Sequence, residues 1–176
     1  MEMKNVTMND CVTLLGQSSG AVYNYLIQNR DNMEYFNYYH FFLSPLPLEL
    51  IEEEPILKRI HNRFPIEGMG ISKFFPYTNH RWHKDTDRGL SINMLLEHQR
   101  SHVLFRYPDP YNDQKIVGCQ RIHEVNYEPN KFYLFNTQEE HTISNYEGDR
   151  YTFIMKFKQN KDEIDYYQVK EYYESL

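Results

Sequence analysis

Between residues 68 and 158 the chain consists of short apolar runs parted by turn formers. The runs cover 68–77, 90–96, 103–107, 115–125, 131–135, 141–145 and 150–158. Between them stand Pro108-Asp109-Pro110-Tyr111-Asn112-Asp113, Glu128-Pro129-Asn130 and Tyr146-Glu147-Gly148-Asp149. Runs this short, rich in branched and aromatic residues, suit strands and leave little room for amphipathic helices. About eight strands at this spacing predict a mainly β fold with flanking helices, a jelly roll or barrel-like sandwich. The segment 146–149 reads as a hairpin joining the last two strands.

The rest of the chain fits around that core as a single domain spanning 1–176. At 176 residues it is long enough for one full core and short for two. Residues 1–65 form an α/β lead-in that packs on the sheet, residues 66–158 the β core, and residues 159–176 a C-terminal helix or tail. In the lead-in, Ser18-Ser19-Gly20 is placed to cap a helix carrying Val22, Tyr25, Leu26 and Arg30. The aromatic run 35–42 fits a buried strand or a helix flank equally. Leu48, Ile51, Leu57, Ile60 and Phe64 form a helical stripe, with Pro55 as a kink or a break. In the tail, Ile164, Tyr167 and Val169 or Tyr172 face inward. Mean hydropathy is only -0.76, lowered by sixteen tyrosines whose rings can still be buried.

Charge and cysteine content exclude several functions. A net charge of -6 argues against a broad grip on a phosphate backbone, leaving at most a local patch at Arg81, Lys84 and Arg88. Cys11 and Cys119 lie far apart without metal-knuckle spacing and read as free thiols of a reducing compartment. No signal peptide and no run of membrane length is present, so a soluble, cytoplasmic protein is expected. There is no Gly-rich phosphate loop, nucleophile elbow or paired Cys-His.

One stretch carries chemistry. In Asn79-His80-Arg81-Trp82-His83-Lys84-Asp85, His83 and Asp85 are two residues apart. On a strand they project to one side, roughly 7 Å from each other at the backbone. His141, opening a later strand, adds a second imidazole. Two histidines and one carboxylate make a triad that leaves positions open on iron. Asp87 competes with Asp85, although its spacing from His83 suits a helix. His80 and the pair His98 and His102 are weaker candidates. If 147–148 is the hairpin tip, Arg150 lies beside Ser144, roughly 10 Å from the level of His141. There its guanidinium would meet the far carboxylate of a metal-bound diacid, helped by the Thr152 hydroxyl; Arg88 and Arg106 are the next candidates for that role. Asn93, on one face with Ser91, either reaches the same carboxylate or is a core-lining amide.

With His83, Asp85, His141 and Arg150 in this order, the chain resembles the Fe(II)- and 2-oxoglutarate-dependent oxygenases over residues 68–158. Arg150-Tyr151-Thr152 is similar to their R-x-S variant. The stretches 82–85 and 90–93 also look like small oxygenases carried by bacteriophages, whose location would be the host cytoplasm. The resemblance implies a double-stranded β-helix, Fe(II) held by His83, Asp85 and His141, and 2-oxoglutarate and O2 as cosubstrates. It implies hydroxylation of a protein side chain, an amino acid or a small molecule, with a nucleic acid less favoured by charge. The alternatives are a cupin-like metal protein that does not use 2-oxoglutarate and a non-catalytic β-sandwich binding protein.

Overall fold

The computed structural model describes residues 7–38, 41–97, 100–108 and 120–176. The expected turn at 109–113, His98 and Cys119 lie outside the described residues. In chain order the elements are α1 (Met8–Cys11), β1 (Val12–Gln17), α2 (Ala21–Asn29), β2 (Phe36–Tyr38), β3 (Phe41–Leu46), α3 (Pro55–Arg63) and β4 (Ile66–Phe74). There follow β5 (Thr78–His83), β6 (Leu90–Leu95), β7 (Ser101–Pro108), β8 (Gln120–Glu124), β9 (Lys131–Asn136), β10 (Glu140–Asn145), β11 (Arg150–Phe157) and α4 (Tyr166–Glu174).

Two antiparallel sheets form a sandwich. The larger runs β1-β9-β6-β11-β4-β3-β2 and the smaller β5-β10-β7-β8. From β4 onward the chain crosses from sheet to sheet at nearly every connection, pausing only at the β7–β8 pair. That alternation is the double-stranded β-helix. The first 65 residues do more than cover it, since β1 adds to one edge of the larger sheet and β3 and β2 extend the other.

The segment 146–149 is not a hairpin. β10 pairs with β5 and β7, whereas β11 pairs with β4 and β6. The turn therefore carries the chain between sheets, and Arg150 stands opposite Phe74, not beside Ser144. Gly148 adopts φ +62° there, a region that costs glycine little. The Asn145 amide fastens the crossing by donating to the carbonyls of Gly148 at 2.8 Å and Phe75 at 2.9 Å.

Side-chain alternation along β9 shows where the core lies. Phe132 and Leu134 face outward into the larger cluster, which includes Val22 and Leu26 of α2, Leu57 and Ile60 of α3, and Tyr166 and Val169 of α4. Tyr133 and Phe135 face inward to meet Phe105, Tyr107 and Val125 between the sheets. A strand buried on both faces reads as a continuous apolar run, which is how Lys131–Asn136 looks in sequence. Burying one such side chain contributes about 1.5–3 kcal/mol.

The helices are set differently from the sequence expectation. At the start of α2 the Ser18 and Ser19 hydroxyls accept from the N–H of Gly20 (2.9 Å) and Ala21 (3.4 Å), and Glu54 adds a cap that the sequence did not suggest. That buried carboxylate accepts from the backbone N–H of Ser19 and Val22, both at 2.9 Å, and from the Ser18 hydroxyl at 2.6 Å. An acid at a helix N-terminus satisfies otherwise orphaned donors. Pro55 opens α3 after a 3-10 turn at Leu48–Glu53, so it is a break and not a kink. In α4 Tyr166, not Tyr167, is the deeply buried tyrosine. Among the described residues no helix is long and apolar enough to cross a membrane.

Candidate metal centre

His83 is the last residue of β5 and stands opposite His141 of β10. Their ring centroids are 4.3 Å apart. Asp85 is not on the strand, as its spacing from His83 had suggested. The chain leaves β5 at His83 because the Asp85 N–H donates to the carbonyl of Thr137 (3.0 Å), outside the sheet. Gln138 reinforces the bend, its side-chain amide donating to the carbonyls of Asp85 and Arg88 at 2.9 Å each. The β9–β10 connection thus clasps the loop that carries the acid.

One atom each from His83, Asp85 and His141 lies within 4.8 Å of the other two, with His83 Nε2 3.5 Å from Asp85 Oδ1. The imidazoles are oriented alike. Nδ1 of His83 faces the carbonyl of Arg81 at 2.8 Å, and Nδ1 of His141 faces that of Glu139 at 2.9 Å. A carbonyl only accepts, so each Nδ1 carries a proton, and in the neutral ring Nε2 is the nitrogen with the lone pair. Such outer hydrogen bonds set the tautomer of metal-binding histidines. The second oxygen of Asp85 is taken by Arg88, whose Nε donates to Oδ2 at 2.5 Å.

The two histidines differ in their charge preference. Burial lowers the pKa of His141 to about 4, and the neighbouring His83 adds to the effect, so it is neutral at pH 7. Burial also opposes charge on Asp85, but its hydrogen bond with His83 and the charge of Arg88 outweigh this and hold it below the usual carboxylate range. Burial opposes protonation of His83 as well; there the bonds to Asp85 and to the Arg81 carbonyl prevail and raise its pKa.

Arg150 starts β11 and is 1% exposed. Its Nη1 donates to Thr152 Oγ1 at 2.5 Å and its Nε to Ser101 Oγ at 3.2 Å. Among the described residues it has no carboxylate partner. Burial pulls its pKa down to about 10, which still leaves it charged at pH 7. Beside it the buried Tyr127 hydroxyl lacks a hydrogen-bond partner among the described residues, and the Tyr127 ring centroid is 5.8 Å from the guanidinium carbon. Asn93, on β6, accepts from Ser91 Oγ at 2.7 Å.

His83, Asp85, His141, Arg150, Thr152 and Asn93 all line one cavity of about 690 Å³ between the sheets. The other candidates fall outside the cluster. Asp87 lies 4.0 Å from Lys156, the His80 ring lies tilted against His83 at 4.0 Å but is not one of the three clustered donors, and His102 pairs with Glu124. The alternative anchors are engaged elsewhere, Arg88 with Asp85 and Arg106 with Glu140 at 2.5 Å. Sequence reading had missed Arg88 as the partner of Asp85, and it had missed Tyr127 altogether. Only the short interval from Asp85 to Arg88 hinted at the first.

No protein-family model matches the chain, and no curated protein matches it in sequence. In three dimensions it is similar to a prolyl hydroxylase from Trichoplax adhaerens, solved in complex with a hypoxia inducible factor oxygen degradation domain peptide fragment. That likeness has a TM-score of 0.61 at 9% identity and covers 83% of this chain and 82% of that one. A Pseudomonas putida prolyl-4-hydroxylase gives a TM-score of 0.56 at 13% identity, covering 83% and 90%. An oxidoreductase of the 2OG-Fe(II) oxygenase family from Burkholderia pseudomallei gives 0.54 at 9%, covering 89% and 92%. The chain therefore has the fold of the 2-oxoglutarate- and Fe(II)-dependent oxygenases.

Proposed function

We propose that this protein is a 2-oxoglutarate- and Fe(II)-dependent oxygenase that hydroxylates a protein side chain, an amino acid or a small molecule. The carrying observation is Arg150, a buried cation without an acid partner among the described residues, in the same cavity as two histidines and a carboxylate. Burying an uncompensated charge is costly, and a bound dicarboxylate offsets that cost.

The donor set fits the metal. Two neutral Nε2 atoms and one carboxylate oxygen suit non-heme Fe(II) and leave positions open. When bound, Fe(II) and 2-oxoglutarate supply the oxidising power: O2 is consumed, the diacid becomes succinate and CO2, and one oxygen atom enters the substrate. The chain supplies geometry. His83 and His141 present their Nε2 atoms, Asp85 offers Oδ1 while Arg88 restrains Oδ2, and Arg150 with Thr152 and Tyr127 receives the far carboxylate. Phe105 and Phe135, stacked at 5.9 Å behind His141, exclude water from that side.

A metal protein that does without the diacid leaves Arg150 unexplained, so the cupin-like alternative is the weaker reading. The test is O2-dependent conversion of 2-oxoglutarate to succinate by the Fe(II)-loaded chain. His83→Ala and Asp85→Ala should each abolish it. Unchanged succinate release by either variant removes the triad from the account.

A further inference from the structure

The cavity is larger than a five-carbon diacid requires, and two sheet edges frame its open side. β2 ends the seven-stranded sheet and β5 ends the four-stranded one. Among the described residues neither has a further strand beside it. Both line the cavity, β2 through Phe36 and Tyr38 and β5 through His80, Arg81 and His83. An unpaired edge offers a row of N–H and C=O groups to an adjoining chain. Because His83 closes β5, whatever pairs along that strand is led to the metal-directed donors.

A series of rings joins the rim to this centre. Tyr38 packs on Phe41 with centroids 5.3 Å apart, Phe41 lies 6.1 Å from His80, and His80 lies 4.0 Å from His83. At the outer end Phe36 and Tyr38 remain 56% and 47% exposed, a paired aromatic surface of the kind that marks interaction sites. Arg81 and Lys84 line the same opening, are exposed, and form no ion pair with a described residue. Of the other cations lining the cavity, Arg88 is engaged by Asp85 at 2.5 Å and Lys156 by Glu67 at 3.3 Å, while the buried Arg150 is the one assigned to the diacid. Two exposed cations without an ion pair among the described residues form a local positive patch, complementary to an acidic partner.

We propose that the open side of the cavity binds an extended acidic polypeptide segment as the substrate. Its main chain adds to the free edge of β5, an apolar residue lies against the Tyr38–Phe41 rings beside His83, and its carboxylates meet Arg81 and Lys84. The inference rests on the oxygenase reading and names the substrate class for that site. Main-chain pairing on a sheet edge is a recurring mode of peptide capture. A single-stranded nucleic acid has no main-chain amides to pair with β5. A free amino acid leaves the aromatic rim and both cations without a role.

The test is fluorescence anisotropy on the full, metal-free chain. Three labelled probes are compared: a pool of blocked decapeptides alternating Asp or Glu with apolar residues, the same pool with Lys at the acidic positions, and an oligothymidine ten-mer. The acidic pool should bind at least about tenfold more tightly than either other probe, and more weakly as salt is added. Arg81→Glu with Lys84→Glu, both on exposed side chains, should reverse the order of the two peptide pools. Backbone N-methylation at alternate residues of the acidic peptides should weaken binding about tenfold by removing the ladder donors. No binding, equal binding of both pools, tighter binding of oligothymidine, or indifference to N-methylation overturns the proposal. Neither metal nor diacid is present in this experiment, so its failure leaves the oxygenase reading to be judged by metal and diacid titration.

Discussion

Arg88 donates from Nε to Oδ2 of Asp85 at 2.5 Å, while Oδ1 of the same carboxylate lies 3.5 Å from His83 Nε2. One oxygen is thus restrained by Arg88, and the other is the one that meets the metal in the proposed site.

This arrangement makes Arg88 a positioning residue. Arg88→Met should lower the affinity for Co(II), used as an iron substitute, by about 10–100-fold, the usual cost of losing an outer-shell partner. A competitive chelator titration reads the effect. Unchanged affinity shows that Asp85 is held well enough by the Thr137 carbonyl and Gln138.

Arg150 carries an opposite prediction for stability. Arg150→Leu removes a buried, uncompensated cation, so the metal-free chain should unfold at the same temperature as wild type or higher. With metal already bound, 2-oxoglutarate at 100 times its dissociation constant should stabilise wild type by about 2.7 kcal/mol more. The variant should lose the gain due to the diacid. Thermal unfolding with and without the diacid separates the outcomes, and a large destabilisation of Arg150→Leu contradicts the account.

Tyr127→Phe isolates a single hydroxyl. That hydroxyl is buried without a described partner, so its removal should not destabilise the metal-free chain. Affinity for 2-oxoglutarate should fall about tenfold, in line with loss of one hydrogen bond to a charged group, with Co(II) affinity unchanged. Equal diacid binding by the variant turns Tyr127 into a core residue.

The two histidines should respond differently to pH. His141, lowered to about 4, is already neutral across the physiological range and releases no proton when metal binds there. His83, raised above 6.5, must lose its proton. Its raised pKa stabilises the metal-free fold below pH 6.5, and that stabilisation is lost as pH rises through the folded value. Metal affinity should therefore climb as pH rises through that same value and then level off. Calorimetric titration near pH 6.5 in two buffers of different ionisation enthalpy should report one proton released or fewer; release of two contradicts the assignment.

How far the sequence discloses the fold depends on whether a feature is local. The apolar run of β9 and the shared face of Arg150 and Thr152 follow from strand periodicity alone, and both are found. The jelly roll follows from the succession of short runs. Asp85 was placed wrongly because β5 ends through a hydrogen bond to Thr137, remote in sequence. The turn at 146–149 was misread because Asn, Gly and Asp serve a crossing between sheets as well as a hairpin. Glu54 as the cap of α2, Arg88 beside Asp85 and Tyr127 beside Arg150 are tertiary pairings that no spacing rule supplies.

In the proposed site His83, Asp85 and His141 hold one metal ion while Arg150 receives the far end of a diacid. Anaerobic titration of the chain with Fe(II) and then 2-oxoglutarate, followed by visible absorption, tests it most directly. A weak metal-to-ligand charge-transfer band should appear that needs both additions, is absent in His141→Ala, and in Arg150→Leu requires far more 2-oxoglutarate although the metal still binds. Bound metal with no band at any diacid concentration, or no bound metal at all, contradicts it.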